Sequence, residues 1–232
     1  GIVVRGPDVN VSFYKLTVNN KGAIRFGMGA VKGIGRGAVE TIVEHRKVKP
    51  YASIFDLTRR TDLRSANKKW FESLILAGGL DSLSDASRSQ YFHHNGDGVT
   101  FVEKALKFGA QHQENEQSSQ VSLFGADAEV TIATPELPNC EPWTALKELK
   151  QEKEVVGIYI SAHPLDDFAP AMKHFCNAKL GVFNDMDALV NRELSFGGMV
   201  GEVDHRVSKN GKGWAIFGLE DFEDSYQFKI FG

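Results

Sequence analysis

The stretch Met28-Gly29-Ala30-Val31-Lys32-Gly33-Ile34-Gly35-Arg36-Gly37-Ala38 decides how the rest of this 232-residue chain is read. Met28 and Val31 suit one turn of a short helix. Gly33 and Gly35 flank a lone apolar Ile34, and an apolar helical pattern follows through Val39, Ile42 and Val43. This is the spacing of two helices joined by a tight hairpin. Glycine opens backbone conformations closed to other residues and lets another backbone come near, while Ile34 can anchor the turn between the helices. The first N–H groups of the second helix lack intrahelical acceptors and face outwards, where a phosphate oxygen can meet them. Lys32, Gly33, Ile34, Gly35, Arg36 and Gly37 are therefore the candidate phosphate-binding residues.

A Gly-x-Gly between helices can equally be a tight connection and nothing more. The surroundings favour a ligand. Residues 21–69 hold twelve Lys or Arg against four Asp or Glu, a local charge of +8 in a chain whose net charge is −3. A basic block around an anion-binding turn, within an otherwise acidic chain, points to nucleic acid held by its phosphates without sequence readout.

Composition sets the outer bounds. With 42% hydrophobic and 25% charged residues, the chain has room for one large domain or two to three small ones of ordinary soluble composition. Its apolar runs, such as residues 155–160 with Gly157 inside, are far too short to span a membrane. The first seven residues lack the basic start and apolar run of a signal peptide. Cys140 and Cys176 make no disulfide framework, so a cytoplasmic location is expected. The chain does not begin with Met and stops within a strand-like pattern, which reads as a fragment.

Residues 9–26 read as extended, with a turn at 19–22, and the second hairpin helix is expected from Gly37 to about Arg46. Ser53 and Asn67 can cap two further helices, the second bearing Trp70, Phe71, Leu74 and Ile75 as core. Ala77-Gly78-Gly79-Leu80 sits where a second hairpin turn belongs, and Phe101, Val102, Ala105, Leu106 and Phe108 mark another amphipathic helix. Residues 24–110 are thus expected to form a tandem helix-hairpin-helix domain. Residues 111–119 hold no apolar side chain and open an expected flexible tether over 111–141. Inside it lies Gln120-Val121-Ser122-Leu123-Phe124, whose Leu-Phe pair either folds back on its own domain or docks on a partner.

A helical connector is expected over residues 142–193, with Trp143, Leu146 and Leu149 on one face. Gly157 leaves 155–161 open between helix and strand, and Asp166-Asp167 after His163-Pro164 reads as capping. From residue 194 the period changes to two. Three strands in a meander over residues 194–232, the first dense in glycine at 197, 198 and 201, look like the first half of an OB-fold. Arg206, Lys209, Lys212 and Trp214 are candidate single-strand contacts there, Trp214 being equally suited to a core. The expected class is a multi-domain α+β chain. No carboxylate cluster suits a two-metal site, no glycine loop has phosphate-loop spacing, and His93-His94 and His174-Phe175-Cys176 point their side chains apart. No catalytic residue, metal site or cofactor is expected within this chain.

Four blocks carry a resemblance: Pro7-Asp8-Val9-Asn10, Ile24-Arg25-Phe26-Gly27-Met28-Gly29-Ala30-Val31-Lys32-Gly33-Ile34-Gly35, Glu152-Lys153-Glu154-Val155-Val156-Gly157-Ile158-Tyr159-Ile160-Ser161-Ala162-His163-Pro164-Leu165-Asp166, and the strands between Gly197 and Phe231. In this order they resemble the C-terminal portion of the alpha subunit of bacterial replicative DNA polymerase III, a C-family polymerase. The resemblance implies that residues 1–23 end a fingers region, followed by the tandem hairpin domain, a clamp-binding loop and an OB domain. Gln120, Ser122, Leu123 and Phe124 fit the Gln-x-(Ser/Asp)-Leu-Phe peptide that docks on the bacterial sliding clamp. Implied partners are primer–template duplex, the sliding clamp, single-stranded DNA and other replicase subunits. The implied parent is a DNA-directed DNA polymerase whose magnesium-binding carboxylates lie in a palm region outside this sequence. One departure is Val39, where the hairpin pattern has Ala four residues after Gly35; Ala38 can take the close-packing role. A helix-hairpin-helix repair glycosylase would need Asp or Lys shortly after the hairpin, where Glu40 and Glu44 stand, and no ligase lysine motif is visible. A purely structural helical module leaves the basic block and the Leu-Phe pair unexplained.

Overall fold

The turn at residues 19–22 forms, but only short strands flank it. In the computed structural model, which describes residues 3–83, 86–121 and 132–232, β2 (Thr17–Val18) pairs antiparallel with β3 (Ile24–Arg25), and β1 (Val4–Arg5) joins β3 in parallel. Residues 9–11 turn instead of extending. The Asn10 N–H donates to the Asp8 carboxylate (2.8 Å), and the Ser12 hydroxyl donates to the Phe26 carbonyl (2.7 Å). Local side-chain bonds of this kind offer the backbone an alternative to a ladder.

The chain divides into two compact units, Gly1–Ser161 and Ala162–Gly232. The expected connector over 142–193 is thereby shared between them. In the first unit the helices are α1 (Arg36–Val48), α2 (Ile54–Arg60), α3 (Lys68–Leu76), α4 (Arg88–Tyr91), α5 (Phe101–Val121) and α6 (Ala145–Val156). Ser53 and Asn67 cap as expected, accepting from the N–H groups of Asp56 (3.2 Å) and Trp70 (3.1 Å). Thr100 and Glu103 form a reciprocal cap on α5, the Glu103 carboxylate accepting from the Thr100 N–H (2.8 Å). Met28, Val31, Ile42, Leu57, Phe71 and Leu74 share one core with Trp70, which is 1% exposed and so has no face for a base.

Residues 111–121 correct the expected tether: they continue α5. Gln and Glu are good helix formers, and the helix finds partners on α2. A Cβ at Gly109 would lie 2.6 Å from the Thr58 Cβ, so the two helices meet there backbone to side chain. One turn further, the Gln113 amide donates to the carbonyls of Thr58, Arg59 and Thr61 at 2.8, 3.1 and 2.9 Å. These are carbonyls at the end of α2 that no helical N–H can reach. The backbone of Gln120 lies in the last turn of α5, whereas Ser122, Leu123 and Phe124 lie outside the described residues. Residues 132–143 have no regular structure yet are tied down. The Gln90 amide donates to the Pro138 carbonyl (2.8 Å), and Phe92 and Trp143 stack at 5.5 Å. Thr144 caps α6, and Gly157, at φ +90°, ends it, which settles residues 155–161 as helix end and loop.

In the second unit, Asp166 accepts from the His163 N–H (2.8 Å), a capping role, ahead of α7 (Ala169–Phe175). Strands β4 (Met199–Val207), β5 (Gly213–Glu220) and β6 (Ser225–Phe231) form an antiparallel meander in that order. The register shifts between Val200 and Val203, beside Gly201. A closed barrel is absent among the described residues: three strands make an open sheet. One face packs Phe217, Tyr226 and Phe228 with Phe183 and Phe196, ring centroids lying 5.0–5.4 Å apart. The class is α+β.

Candidate nucleic-acid interface

The first hairpin is built from the core outwards. Residues 28–30 make one 3-10 turn, Ile34 is 6% exposed and plugs into the core, and Gly33 takes φ +83° to turn the chain. That angle is open to glycine at little cost and to other residues at a penalty. Gly35 caps α1 with φ −78° and ψ 148°, an ordinary extended conformation, and no side chain caps the helix. The N–H groups of Arg36, Gly37 and Ala38, being the first three of a 13-residue helix, have no intrahelical acceptor. Beyond the adjoining residues and α1's own backbone, nothing lies within 4 Å of where a Cβ on Gly35 or Gly37 would stand. The two glycines of the motif thus differ: Gly33 shapes the turn, and Gly35 leaves it open.

Lys32, Gly33, Gly35, Arg36 and Gly37 are exposed on this one turn, with Ile34 beneath them. Arg36 lies over the Tyr14 ring (5.0 Å) and 3.6 Å from Glu40, which holds its guanidinium beside the helix start. Lys32 makes no ion pair among the described residues. The positive end of the α1 dipole adds to both charges.

Much of the surrounding basic block has other work. Arg25 donates to the Gly6 carbonyl, and Arg46 donates to the carbonyls of Val9, Val11 and Ser12. Arg60 pairs with Asp56 (3.0 Å) and donates to the carbonyls of His45 and Lys49. Lys47, Arg59 and Lys68 pair with Glu44, Glu116 and Glu103. Lys21, Lys32, Lys49, Arg64 and Lys69 are the exposed members without an ion pair among the described residues.

The second hairpin turn is closed. Gly78 N–H donates to the Ile75 carbonyl and Gly79 N–H to the Leu74 carbonyl (2.9 and 2.8 Å). A Cβ on Gly78 would collide with the Arg88 guanidinium and one on Gly79 with Leu74. This turn packs, and the amides of both its glycines are already used.

On the open face of the second unit's sheet, Arg206, Trp214 and Phe231 stand in register across β4, β5 and β6. Trp214 and Phe231 stack at 5.8 Å, with the Arg206 guanidinium 5.4 Å from the Trp214 ring. Trp214 is therefore half-buried in a cross-strand row and not in a core. Lys209 and Lys212 are exposed on the adjoining turn. Arg206 is also bonded to Asp204 (2.7 Å), which tempers its charge.

A family model described as a helix-hairpin-helix motif matches residues 1–91. Three relatives are DNA polymerase III alpha subunits. That of Mycobacterium leprae is 32% identical over 240 residues and that of Escherichia coli K12 30% over 235, both covering 100% of this chain. That of Vibrio cholerae is 30% identical over 226 residues, covering 95%. This chain is homologous to DNA polymerase III subunit alpha. It spans 18–19% of the length of these relatives.

Within this chain, the sequence located the hairpin but missed which cations are free, because a charge count cannot see carbonyl acceptors. It also missed Arg88, which lies outside any motif, and Glu152, which opens a block of the resemblance without a role of its own. Among the described residues, no group of three or more His, Cys, Asp or Glu could hold a metal ion, and no helix is long and apolar enough to cross a membrane.

Proposed function

We propose that this chain is the part of a replicative DNA polymerase that holds template–primer duplex by its phosphates and tethers the enzyme to the sliding clamp. The uncapped start of α1 carries the first role: no side chain caps the helix, and Gly35 and Gly37 are exposed there beside Lys32 and Arg36. Such a surface grips any sequence alike. The second role rests on the motif Gln120-Val121-Ser122-Leu123-Phe124, which immediately overlaps the end of α5. A peptide leaving a helix end can reach a partner's apolar pocket, with Leu123 and Phe124 as anchors and Gln120 setting the register. A third role follows for the second unit. Its three strands are the start of an OB-type sheet, and Trp214, Phe231, Arg206, Lys209 and Lys212 give unpaired bases a stacking surface with cations nearby.

Polymerisation itself is assigned to carboxylates and magnesium elsewhere in the parent cytoplasmic enzyme, and this chain alone adds no nucleotides to a primed template. The test is duplex binding by fluorescence anisotropy at several salt concentrations, on two duplexes of unrelated sequence. Equal, salt-sensitive binding supports the reading. Absent binding, or binding confined to one sequence, overturns it.

A further inference from the structure

Helix α6 reaches both hairpin turns. Its Val155 carbonyl accepts the Lys32 N–H (2.8 Å) in the middle of the first turn, and the Val155 side chain joins the core that holds Val31 and Ile34. Three residues earlier, on the same helix face, Glu152 is 1% exposed. Its carboxylate accepts from the N–H groups of Ile160 (2.6 Å) and Ser161 (2.9 Å) and from the Ser161 hydroxyl. The Arg88 guanidinium lies 3.7 Å away. Arg88 in turn makes two bonds to Asp81 (2.7 and 3.2 Å) and one to the Leu76 carbonyl (3.3 Å), which fixes it on the second turn.

From this geometry we infer that Glu152 is a positioning residue for the phosphate grip. Resting on the duplex-binding reading above, the inference explains why a buried charge sits where no DNA can touch it. Buried carboxylates are costly unless paired and hydrogen-bonded. Here the charge locks α6 onto the closed second turn, and Val155 then holds the Lys32 amide inward. With that amide held, the chain passes through Gly33 in one conformation, and the free N–H groups from Arg36 onward keep one direction. Rigid placement of donors is what lets them act together on one phosphate.

The test uses the whole 232-residue chain with Glu152→Gln, which keeps the shape and removes the charge, and with Ser161→Ala, a milder change to the same carboxylate. Hydrogen exchange of backbone amides, measured without DNA, is read at Lys32 and across α2 and α5. Expected is faster Lys32 exchange, by about tenfold in Glu152→Gln and less in Ser161→Ala, with α2 and α5 unchanged. Duplex binding should weaken by about threefold to tenfold in Glu152→Gln. A merely structural role would speed all core amides together. Wild-type Lys32 exchange in both variants, or uniform acceleration across α2 and α5 in both, overturns the inference. Should the wild-type chain bind no duplex, the functional reading fails, while selective loosening at Lys32 would still support the brace.

Discussion

At the scale of the residue, the two glycines flanking Ile34 make opposite predictions. Gly33 sits at φ +83°, so Gly33→Ala should lower unfolding free energy by about 1–2 kcal/mol in chemical denaturation. Gly35 is extended and unobstructed. A serine there can cap α1 with its own hydroxyl, so Gly35→Ser should raise stability by about 0.3 kcal/mol. The same hydroxyl competes for the amides a phosphate needs, and duplex affinity should fall by about threefold or more. Tighter folding with weaker binding is the signature; unchanged binding would place the phosphate elsewhere. The motif itself was legible because glycine and isoleucine alternate at a spacing that few other structures need. The fate of each arginine was not. Arg46 and Arg60 count as charge in the sequence, yet both are consumed by carbonyls from loops and helix ends distant in the chain.

At the scale of the element, α5 shows where composition misleads. A run of Gln, Glu, Ser and His has nothing to bury, and so reads as a tether, but the same residues are compatible with a helix whose length is fixed by its neighbour. Gln113 supplies that fixing through three carbonyls of the α2 end. Gln113→Ala should cost about 1 kcal/mol in denaturation; no measurable loss would mean that water serves these carbonyls equally well. The start of α5 responds to pH. The Lys68 ammonium, followed by the Thr100 N–H and hydroxyl, holds the Glu103 carboxyl down to about 2 from its usual 4.5. A carboxyl with a lowered folded value stabilises the fold above its unfolded value and loses that contribution as pH falls from about 4.5 to about 2. A carbon-detected NMR titration should therefore find Glu103 still ionised at pH 3.5, and Lys68→Ala should move it back up. An unshifted Glu103 would remove the cap from this account. The helix caps at Ser53 and Asn67 were readable because capping is local; the partners of Gln113, and Lys68 beside Glu103, were not, being 52–55 and 35 residues away.

At the scale of the whole molecule, helices ahead of a three-stranded meander were legible and the border between the two units was not. The expected connector is divided, α6 belonging with the hairpins and α7 with the sheet. Contacts such as Lys32 to Val155, across more than a hundred residues, leave no periodic trace in the sequence. The clamp motif sets a prediction for the complete chain. Two apolar anchors, each contributing roughly 1.5–3 kcal/mol on burial, minus the ordering of a peptide, give an affinity on the order of micromolar. Leu123→Ala with Phe124→Ala should abolish clamp binding and leave thermal stability and duplex binding intact, and Gln120→Ala should weaken clamp binding less. A double variant that unfolds, or still binds the clamp fully, would assign the pair to a core or to no role.

The central claim, that the first hairpin grips phosphates, is tested most directly by the salt dependence of duplex binding in the wild type and Lys32→Ala. Each phosphate contact contributes about 0.9 to the slope of log affinity against log salt. Lys32→Ala should bind every duplex more weakly, with a slope shallower by about 0.9. An identical slope and affinity in the two proteins would contradict it.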